Sequence, residues 1–433
     1  MTESCFSALG LAEPLQRALT ARNHVVPTPI QARAIPELLA GRDMLGIAQT
    51  GTGKTAAFAL PILHQLATAH RKRVPRSPHA LILAPTRELA IQIGDEFRAY
   101  GKDLRLRQTV IFGGVGQKPQ VDALARGVDI LIATPGRLLD LMGQGRVGLE
   151  AVAFVVLDEA DRMLDMGFVR DVRKIVQALP ESRQSLLFSA TMPGEIGRLS
   201  SEILTDPARV EVTPQATPVE RIDQHVYHVD AGGKRALLAR LLADPALSRV
   251  IVFTRTKYKA SRLAKQLVRQ GIAADSIHGD KTQNQRTRAL AGFQSGKLQI
   301  LVATDVASRG IDVDDVSHVI NYDLPNEAET YVHRIGRTGR AGADGAAISF
   351  CDSGELAYLQ AIERLQKTRI SVTRDHAFHV EPARPAIAAK PANGRKRTRQ
   401  GTNTAGTVGA RPGGSAGRKP SSVNTRRKRG TVR

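Results

Sequence analysis

The chain has 433 residues, a hydrophobic content of 42% and a net charge of +21, which is enough for two or three domains with buried cores. Its only cysteines, Cys5 and Cys351, exclude a disulfide framework and a cysteine-based zinc site, and they fit a reducing compartment. The first residues lack the segments of a signal peptide and no apolar run is long enough for a membrane span, so we expect a soluble, cytoplasmic protein without a membrane partner.

Short apolar runs alternate with helical patterns between residues 25 and 205. Such near-continuous aliphatic runs predict a parallel sheet that is covered by helices on both faces, in an α/β fold. Each run ends in small or polar residues, and sites in these sheets lie beyond the carboxyl ends of the strands. The runs are LILAP (81–85), VIF (110–112), DILIAT (129–134), VAFVVLD (152–158) and SLLFSAT (185–191).

The same pattern recurs in the second half, in VIVFTRT (250–256), QILVATD (299–305) and SHVINYD (317–323). The segment between the halves is rich in Pro, Thr and Ala and reads as a linker. We therefore predict a first domain over 1–205, a linker over 206–222 and a second domain over 223–372. Two such domains form a cleft between them, where a ligand can contact both.

The remaining residues, 373–433, are predicted to form a basic, disordered tail. Residues 381–433 contain 14 Lys and Arg and one acid, a charge of +13, which leaves +8 for the rest of the chain. Pro, Gly, Ala, Arg and Lys dominate this tail, so it has little apolar surface to bury. Its charge favours a polyanionic partner, nucleic acid before anionic membrane, and the alternative is a tail that only increases solubility.

The sequence AQTGTGKT (48–55) predicts a phosphate-binding loop. Gly51 and Gly53 permit a tight turn whose N–H groups point at phosphate oxygens, and Lys54 reaches the β- and γ-phosphates. Thr55 places its hydroxyl on Mg²⁺, and the helix that begins near Lys54 adds its positive end. The alternative is an ordinary glycine-rich turn.

The acids of DEAD (158–161) follow a buried strand about a hundred residues later. We expect Asp158 to hold Mg²⁺, largely through water, and Glu159 to orient or deprotonate the attacking water. The alternative is a solvated helix start, where acids are favoured in any case. A phosphate loop together with an acidic strand end is the arrangement of a P-loop NTPase.

The complete set of motifs resembles the DEAD-box family of RNA helicases, over roughly residues 6–370. The resemblance implies two tandem RecA-like domains that close together on ATP and RNA. RMLDMGF (162–168), FGGVGQKPQ (112–120) and the basic tail are most similar to the bacterial RhlE-type subgroup. The matching motifs, in order, are VPTPIQ (26–31), PTRELA (85–90), GG (113–114), TPGR (134–137), DEAD (158–161), SAT (189–191), VFTRT (252–256), HGDKTQNQR (278–286), TDVASRGID (304–312) and YVHRIGRTGR (331–340).

The resemblance implies that the nucleotide is ATP, with Gln31 reading the adenine edge. His24 stands where the family usually has a stacking aromatic, and Asn23 precedes it in place of a glycine. An imidazole stacks over less area, so we expect an altered ATP affinity. The predicted ATP-binding set is Phe6, His24, Gln31, Ala48, Gln49, Thr50, Gly51, Thr52, Gly53, Lys54, Thr55, Gly310 and Asp312.

Two arginines of the second half, Arg337 and Arg340, are similar to arginine fingers that stabilise the transition-state charge across the cleft. The alternative is a solvated basic face formed by Arg334, Arg337 and Arg340 at three-residue spacing. The family likeness also makes His333 part of a coupling chain with Asp161, Ser189 and Thr191, and the alternative is a purely structural histidine.

The predicted RNA contacts are to the backbone and independent of base sequence, because small residues, hydroxyls and guanidinium groups suit phosphates. No stacking platform is evident in the sequence. The partner is expected to be single-stranded RNA or a short duplex, which the tail tethers through its charge. The predicted contacts are Pro85, Thr86, Arg87, Gly113, Gly114, Thr134, Pro135, Gly136, Arg137, Thr254, Arg286 and Thr304.

The leading hypothesis is an RNA-stimulated ATPase that unwinds RNA duplexes locally and without translocation, or remodels RNA–protein complexes. An ATP-gated RNA clamp has the same motifs and differs in its strand displacement per ATP. A translocating DNA helicase is the third hypothesis, which a series of duplex lengths would distinguish. We expect a monomeric core, with ribosome precursors or the RNA-decay machinery as partners.

Overall fold

The computed structural model describes residues 5–49, 51–69, 71–212, 222–305, 316–339 and 345–381. Within these ranges the chain forms two α/β domains, each built on a parallel sheet. Successive residues of one strand enter different cores: Ile82 and Val156 pack on one face of the first sheet, and Leu81 and Val155 pack on the other. This burial on both faces explains the continuous apolar runs and confirms the predicted fold class.

The first sheet has the strand order β3-β4-β2-β5-β6-β1-β7. Every neighbouring pair is parallel, so the carboxyl ends of the strands lie on one edge. The strands are β1 (Met44–Ile47), β2 (Ala80–Leu83), β3 (Gln108–Ile111), β4 (Ile130–Ala133), β5 (Phe154–Leu157), β6 (Gln184–Ser189) and β7 (Ala208–Glu211).

The helices of the first domain begin at residues that favour a helix start. Thr86 caps one of them, since its Oγ1 accepts a hydrogen bond from Leu89 N at 3.2 Å, and two others begin with Pro29 and Pro135. After a 3₁₀ turn (Phe6–Leu9), the helices are α1 (Glu13–Ala21), α2 (Pro29–Leu39), α3 (Lys54–Thr68), α4 (Arg87–Tyr100), α5 (Lys118–Ala125), α6 (Pro135–Gly143), α7 (Ala160–Asp165), α8 (Val169–Gln177) and α9 (Gly194–Ile203).

The second sheet repeats the first strand for strand, in the order β10-β11-β9-β12-β13-β8-β14, and its pairs are also parallel. The strands are β8 (Ile222–His228), β9 (Val250–Phe253), β10 (Ala274–Ile277), β11 (Ile300–Ala303), β12 (His318–Asn321), β13 (Gly345–Cys351) and β14 (Ser371–Val372). The described helices are α10 (Lys234–Leu241), α11 (Lys257–Arg269), α12 (Gln283–Gln294), α13 (Ala328–Ile335) and α14 (Leu356–Gln366), with a 3₁₀ turn at Ser353–Glu355.

Two segments differ from the predicted boundaries. Strand β7 lies inside the predicted linker and pairs with β1, so this part of the linker belongs to the first sheet. Residues 373–381, predicted as tail, pack on the second domain: Thr373 N donates to Val226 O at 2.9 Å and Val380 N donates to His228 O at 3.2 Å. The rest of the linker (213–221) and of the tail (382–433) lies outside the described residues.

None of the helices in the described ranges has both the length and the apolar character that crossing a membrane requires.

Candidate nucleotide and nucleic-acid site

The parallel sheets bring most of the predicted site residues to one edge of each domain. In the first sheet, β1 leads into the loop at 48–55, β2 into 85–87, β4 into 134–137 and β5 into 158–161. In the second sheet, β9 and β11 lead into Thr254 and Thr304. The structure therefore collects these motifs at the carboxyl ends of the strands, where α/β sheets bind ligands.

The loop at 48–55 has the backbone of a phosphate cradle. Gly51 and Gly53 have φ values of +85° and +89°, a conformation that side-chain-bearing residues rarely adopt. Lys54 starts α3 and is only 6% exposed; its Nζ donates to Ala48 O at 2.8 Å, which places the ammonium over the loop. Thr50 lies outside the described residues.

Gln31 is bound to this loop. Its Nε2 donates to Gly53 O at 3.1 Å and its Oε1 accepts from Thr28 N at 2.9 Å, so the side-chain amide joins α2 to the phosphate loop. A Cβ at Gly53 would overlap Gln31 Nε2, so a side chain at this position is excluded by the contact as well as by the positive φ. Adenine recognition by Gln31 stays a prediction.

Of the residues predicted to surround the adenine base, Phe6 is buried in the core and His24 lies beside a tyrosine. Phe6 is 4% exposed and packs in the first core. His24 lies beside Tyr100 of α4, with Nδ1 and the tyrosine oxygen 3.4 Å apart, and burial together with Arg22 lowers the pKa of His24. Asn23 has a φ of +57°, a left-handed conformation that asparagine tolerates better than most residues, so it replaces a glycine at modest cost.

Asp158 and Glu159 are both buried at the end of β5. Burial raises the pKa of Asp158 to about 6; Lys54 opposes this rise, and Glu159 and Asp161 add to it. Glu159 has a φ of +54° and lies 3.5 Å from Arg162 Nε. A buried carboxylate with a raised pKa beside a lysine is suited to binding a cation together with a phosphate chain.

Three members of the predicted coupling chain are in direct contact. Asp161 Oδ2 accepts hydrogen bonds from Thr191 N at 2.9 Å, from Thr191 Oγ1 at 3.0 Å and from Ala190 N at 3.1 Å. Ser189 Oγ accepts from Asp161 N at 3.3 Å. The fourth member, His333, accepts a hydrogen bond from Arg337 Nε at its backbone oxygen, 3.2 Å away, and its coupling role stays a prediction.

The predicted RNA-binding loops of the first domain touch one another. The Arg87 guanidinium lies against Gly114, where a Cβ would overlap it and where φ is +77°. Arg137 Nη2 donates to Val115 O at 3.4 Å, which joins the loop after β4 to the loop after β3. The two guanidinium groups and the glycine pair thus form one surface.

Sequence reasoning missed Glu88, a buried acid that connects the two domains. Its carboxylate accepts from Gln283 Nε2 at 3.1 Å and pairs with Arg286 Nη2 at 2.8 Å. Arg286, predicted as an RNA contact, therefore has a protein partner, and its contact with RNA stays a prediction. An acid inside a motif expected to bind phosphates was the available signal, because it would repel RNA unless a cation neutralised it.

The alternative of a solvated basic face is wrong for the arginines that the structure describes. Arg334 is 2% exposed and binds both oxygens of Asp305, at 2.5 and 2.8 Å, and also Asn321 Oδ1 at 3.1 Å. Arg337 is 6% exposed. Arg340, Gly310 and Asp312 lie outside the described residues, so their predicted roles stay predictions.

Comparisons with known proteins agree with this geometry. Residues 28–199 match the family model described as DEAD/DEAH box helicase, and residues 233–342 match the helicase conserved C-terminal domain. The chain is 43% identical to the ATP-dependent RNA helicase CshA of Limosilactobacillus reuteri, over 84% of this chain and 72% of that one. It is 44% identical to the DEAD-box ATP-dependent RNA helicase CshA of Bacillus cereus, over 84% and 69%.

Solved structures show the same arrangement. S. cerevisiae Dbp5 bound to RNA and ADP BeF3 matches with a TM-score of 0.74 and 33% identity, over 85% of this chain and 95% of that one. Mss116p bound to ssRNA and AMP-PNP matches with a TM-score of 0.76 and 29% identity, over 86% and 79%. The CshA names do not support the RhlE-type subgroup. The two RecA-like domains, the ordered motifs and these relatives show that the chain belongs to the DEAD-box family of ATP-dependent RNA helicases.

Proposed function

We propose that this protein hydrolyses ATP when RNA binds across its two domains, and that the cycle separates short RNA duplexes locally or remodels RNA–protein complexes. The observation that carries the proposal is the Glu88 contact to Gln283 and Arg286, which joins the edge predicted to bind RNA in one domain to the corresponding predicted edge of the other. Ribosome precursors and the RNA-decay machinery remain the predicted partners of a monomeric, cytoplasmic core. The RhlE-type subgroup remains a prediction from the segments 112–120 and 162–168 and the basic tail.

The phosphate chain of ATP fits the loop at 48–55. Backbone N–H groups around Gly51 and Gly53 donate to its oxygens. The buried Lys54 ammonium exchanges its hydrogen bond to Ala48 O for contacts with the β- and γ-phosphates. From the second domain, Arg337 and Arg340 supply planar guanidinium groups for the charge that spreads over the transferred phosphoryl.

The residues present also fit Mg²⁺. Asp158 is buried and its pKa is raised to about 6, so a cation beside it would favour the charged carboxylate. No cage of three or more His, Cys, Asp or Glu occurs in the described part of the chain, which suits a metal held by one or two protein groups and the substrate phosphates. Thr55 and Asp158 would hold it, and it would neutralise phosphate charge in the transition state.

Glu159 is the group that orients or deprotonates the attacking water. It is buried one residue beyond Asp158, and Arg162 Nε lies 3.5 Å from its Oε2. RNA binds the surface of Arg87, Gly113, Gly114 and Arg137 through its backbone, without base readout. Bending one strand on this surface breaks pairing locally, which accounts for unwinding without translocation.

The proposal is tested by ATP hydrolysis with and without single-stranded RNA. We expect RNA to stimulate ATP hydrolysis by the wild-type protein. Glu159→Gln should lower the RNA-stimulated rate about 10²- to 10⁴-fold. Glu181→Gln, a change at an exposed acid, is the matched control and keeps the rate. A rate that is indifferent to RNA contradicts the proposal, and stimulated hydrolysis without strand displacement identifies the clamp instead.

A further inference from the structure

Helix α11 of the second domain carries an exposed aromatic ring that no part of the proposed mechanism uses. Tyr258 is 75% exposed, and it is the one aromatic among the strongly exposed large hydrophobic side chains of the described residues. Lys257 Nζ lies 5.3 Å from the ring centroid. A tyrosine usually buries much of its ring, so this ring is available to a partner.

Basic residues continue the same face of α11. Arg262, Lys265 and Arg269 follow Tyr258 by four, seven and eleven residues and are exposed. The opposite face of the helix packs into the core through Ala260, Leu263, Ala264 and Leu267. Across the part of the chain that the structure describes, no carboxylate lies within ion-pair distance of these three, although Lys257 pairs with Asp280. We call Tyr258, Arg262 and Lys265 the α11 stripe.

The α11 stripe starts at the predicted RNA edge. Strand β9 ends at Phe253, Thr254 follows, and Thr256 caps the helix, since its Oγ1 accepts from Lys259 N at 3.3 Å. Tyr258 is therefore in the first turn. With a rise of about 1.5 Å per residue, Arg262 and Lys265 lie about 6 and 10 Å further along the outer surface.

We propose that the α11 stripe binds the single-stranded RNA that leaves the cleft, with a base stacked on Tyr258 and phosphates on Arg262 and Lys265. An exposed ring beside unneutralised cations suits single-stranded nucleic acid, because every base has a face to stack and every linkage has a charge. An acidic protein partner would explain the exposed cations but not the exposed ring. The inference rests on the proposed RNA-dependent activity and extends its RNA contacts beyond the cleft.

The test compares a short RNA that only fills the cleft with strands extended at the 5′ or the 3′ end, by fluorescence anisotropy on the full chain. We expect Tyr258→Ala to weaken binding of one extended strand about tenfold, while the short strand binds as before. Tyr258→Phe keeps the ring and the affinity. Arg262→Gln with Lys265→Gln lowers the slope of log affinity against log salt by about 1.4, at about 0.7 per phosphate.

The matched control is Lys297→Gln with Lys367→Gln. Both lysines are exposed and lie just after α12 and α14, which end at the opposite edge of the same sheet. This control variant loses two positive charges, as the stripe variant does. We expect this control to bind both RNAs as the wild type does. A bromouridine in the extension should also cross-link to Tyr258.

Two results overturn the inference: extended strands that bind Tyr258→Ala as tightly as the wild type, or a control that weakens as much as the stripe variants. A wild type that binds the short RNA and is stimulated by it, with no gain from either extension, also overturns it and leaves the proposed function intact. A wild type that binds neither RNA removes the proposed function itself.

Discussion

The contact between Arg87 and Gly114 shows how one glycine supports the predicted RNA-binding surface. Gly114 has a φ of +77°, and a Cβ there would overlap the Arg87 guanidinium. The glycine is therefore needed twice, once for its backbone conformation and once for the space that the arginine occupies.

We predict that Gly114→Ala weakens RNA binding about tenfold, because the displaced guanidinium loses a charged contact to phosphate. The left-handed alanine also costs about 1 kcal/mol of stability. Gly116→Ala is the matched control, since it lies in the same loop, has no atom within 4 Å of a new Cβ and has no positive φ. RNA titrations of both variants check this, and equal affinities would contradict it.

At the residue scale, the sequence predicted which residues gather but not what they bind. Parallel strands bring their carboxyl ends together, so the grouping of Lys54 with Asp158 could be predicted. The surroundings of Arg334 could not be predicted, because three-residue spacing defines only a helix face. Its partners, among them Asp305 and Asn321, come from other elements of the domain. Glu88 was missed for the same reason, because its partners come from the other domain.

At the element scale, the parallel sheets could be predicted from their apolar runs, but the edge strands could not. Strand β7 has four residues, of which Arg209 and Glu211 are exposed, so it has no apolar run. Strand β14 has two exposed residues and depends on hydrogen bonds to β8. Such strands form because an edge of the sheet is available to them, which local sequence does not reveal.

The segment that follows β14 is held on the second domain by a histidine cluster. The ring centroids of His376 and His379 are 5.5 Å apart, those of His228 and His379 are 6.4 Å apart, and Tyr227 is 5.1 Å from His376. The pKa values of His228 and His376 are lowered first by burial and then by His379. The other charged groups around them are Arg374, Glu381 and Glu363 for His228, and Arg240 and Asp375 for His376.

We predict that acid loosens this segment. A histidine with a lowered pKa takes up fewer protons when docked than when free, so the docking free energy is complete above the ordinary pKa of 6.5 and declines as the pH falls below it. Hydrogen exchange at the amides of Thr373 and Val380, corrected for intrinsic rates, should accelerate between about pH 7.5 and about pH 5.5.

The amide of Val229, which follows the last residue of β8 and donates to Cys351 O at 3.1 Å, is the internal control and should keep its protection. His376→Asn with His379→Asn should remove most of the pH dependence. Equal acceleration at all three amides would mean that the domain loosens as a whole, and the cluster would then have no specific role.

At the scale of the whole molecule, the charge of the tail predicts a salt-dependent tether. Truncation after Glu381 removes the 14 Lys and Arg of residues 382–433 and keeps the packed segment 373–381. We expect a higher RNA concentration for half-maximal ATP hydrolysis and a shallower salt dependence, because fewer counterions are released. The saturated rate should stay the same. An unchanged RNA requirement at low salt would leave the tail with a solubilising role only.

The two domains meet at a buried charge pair, which makes their contact sensitive to one missing partner. The side chains of Glu88 and Arg286 are 5% and 10% exposed. Burial lowers the pKa of Arg286, Glu88 opposes that shift without cancelling it, and Arg87 adds to it. Losing one partner of a buried pair costs about 3–5 kcal/mol, whereas losing both costs much less.

The effect of Glu88→Gln distinguishes two possible roles of Arg286, because each role predicts an effect of opposite sign. If Arg286 acts through Glu88, then Glu88→Gln and Arg286→Gln each weaken RNA-stimulated hydrolysis, and the double variant recovers part of the loss. If Arg286 only binds phosphate, Glu88→Gln strengthens RNA binding because an acid leaves the surface. We predict the first result. Asp95→Asn, at an exposed acid on the same helix, is the control.

Domain closure itself can be followed by energy transfer between a dye on Cys5, which is exposed, and a dye on a cysteine introduced at Lys297. Cys351 is buried and should stay unlabelled. With RNA and a nonhydrolysable ATP analogue, Glu88→Gln should populate the closed arrangement less than the wild type does, at an unchanged melting temperature, because the lost contact lies between domains. If Glu88→Gln instead lowered the melting temperature and left closure normal, the Glu88–Arg286 pair would stabilise one domain and not the contact between the domains.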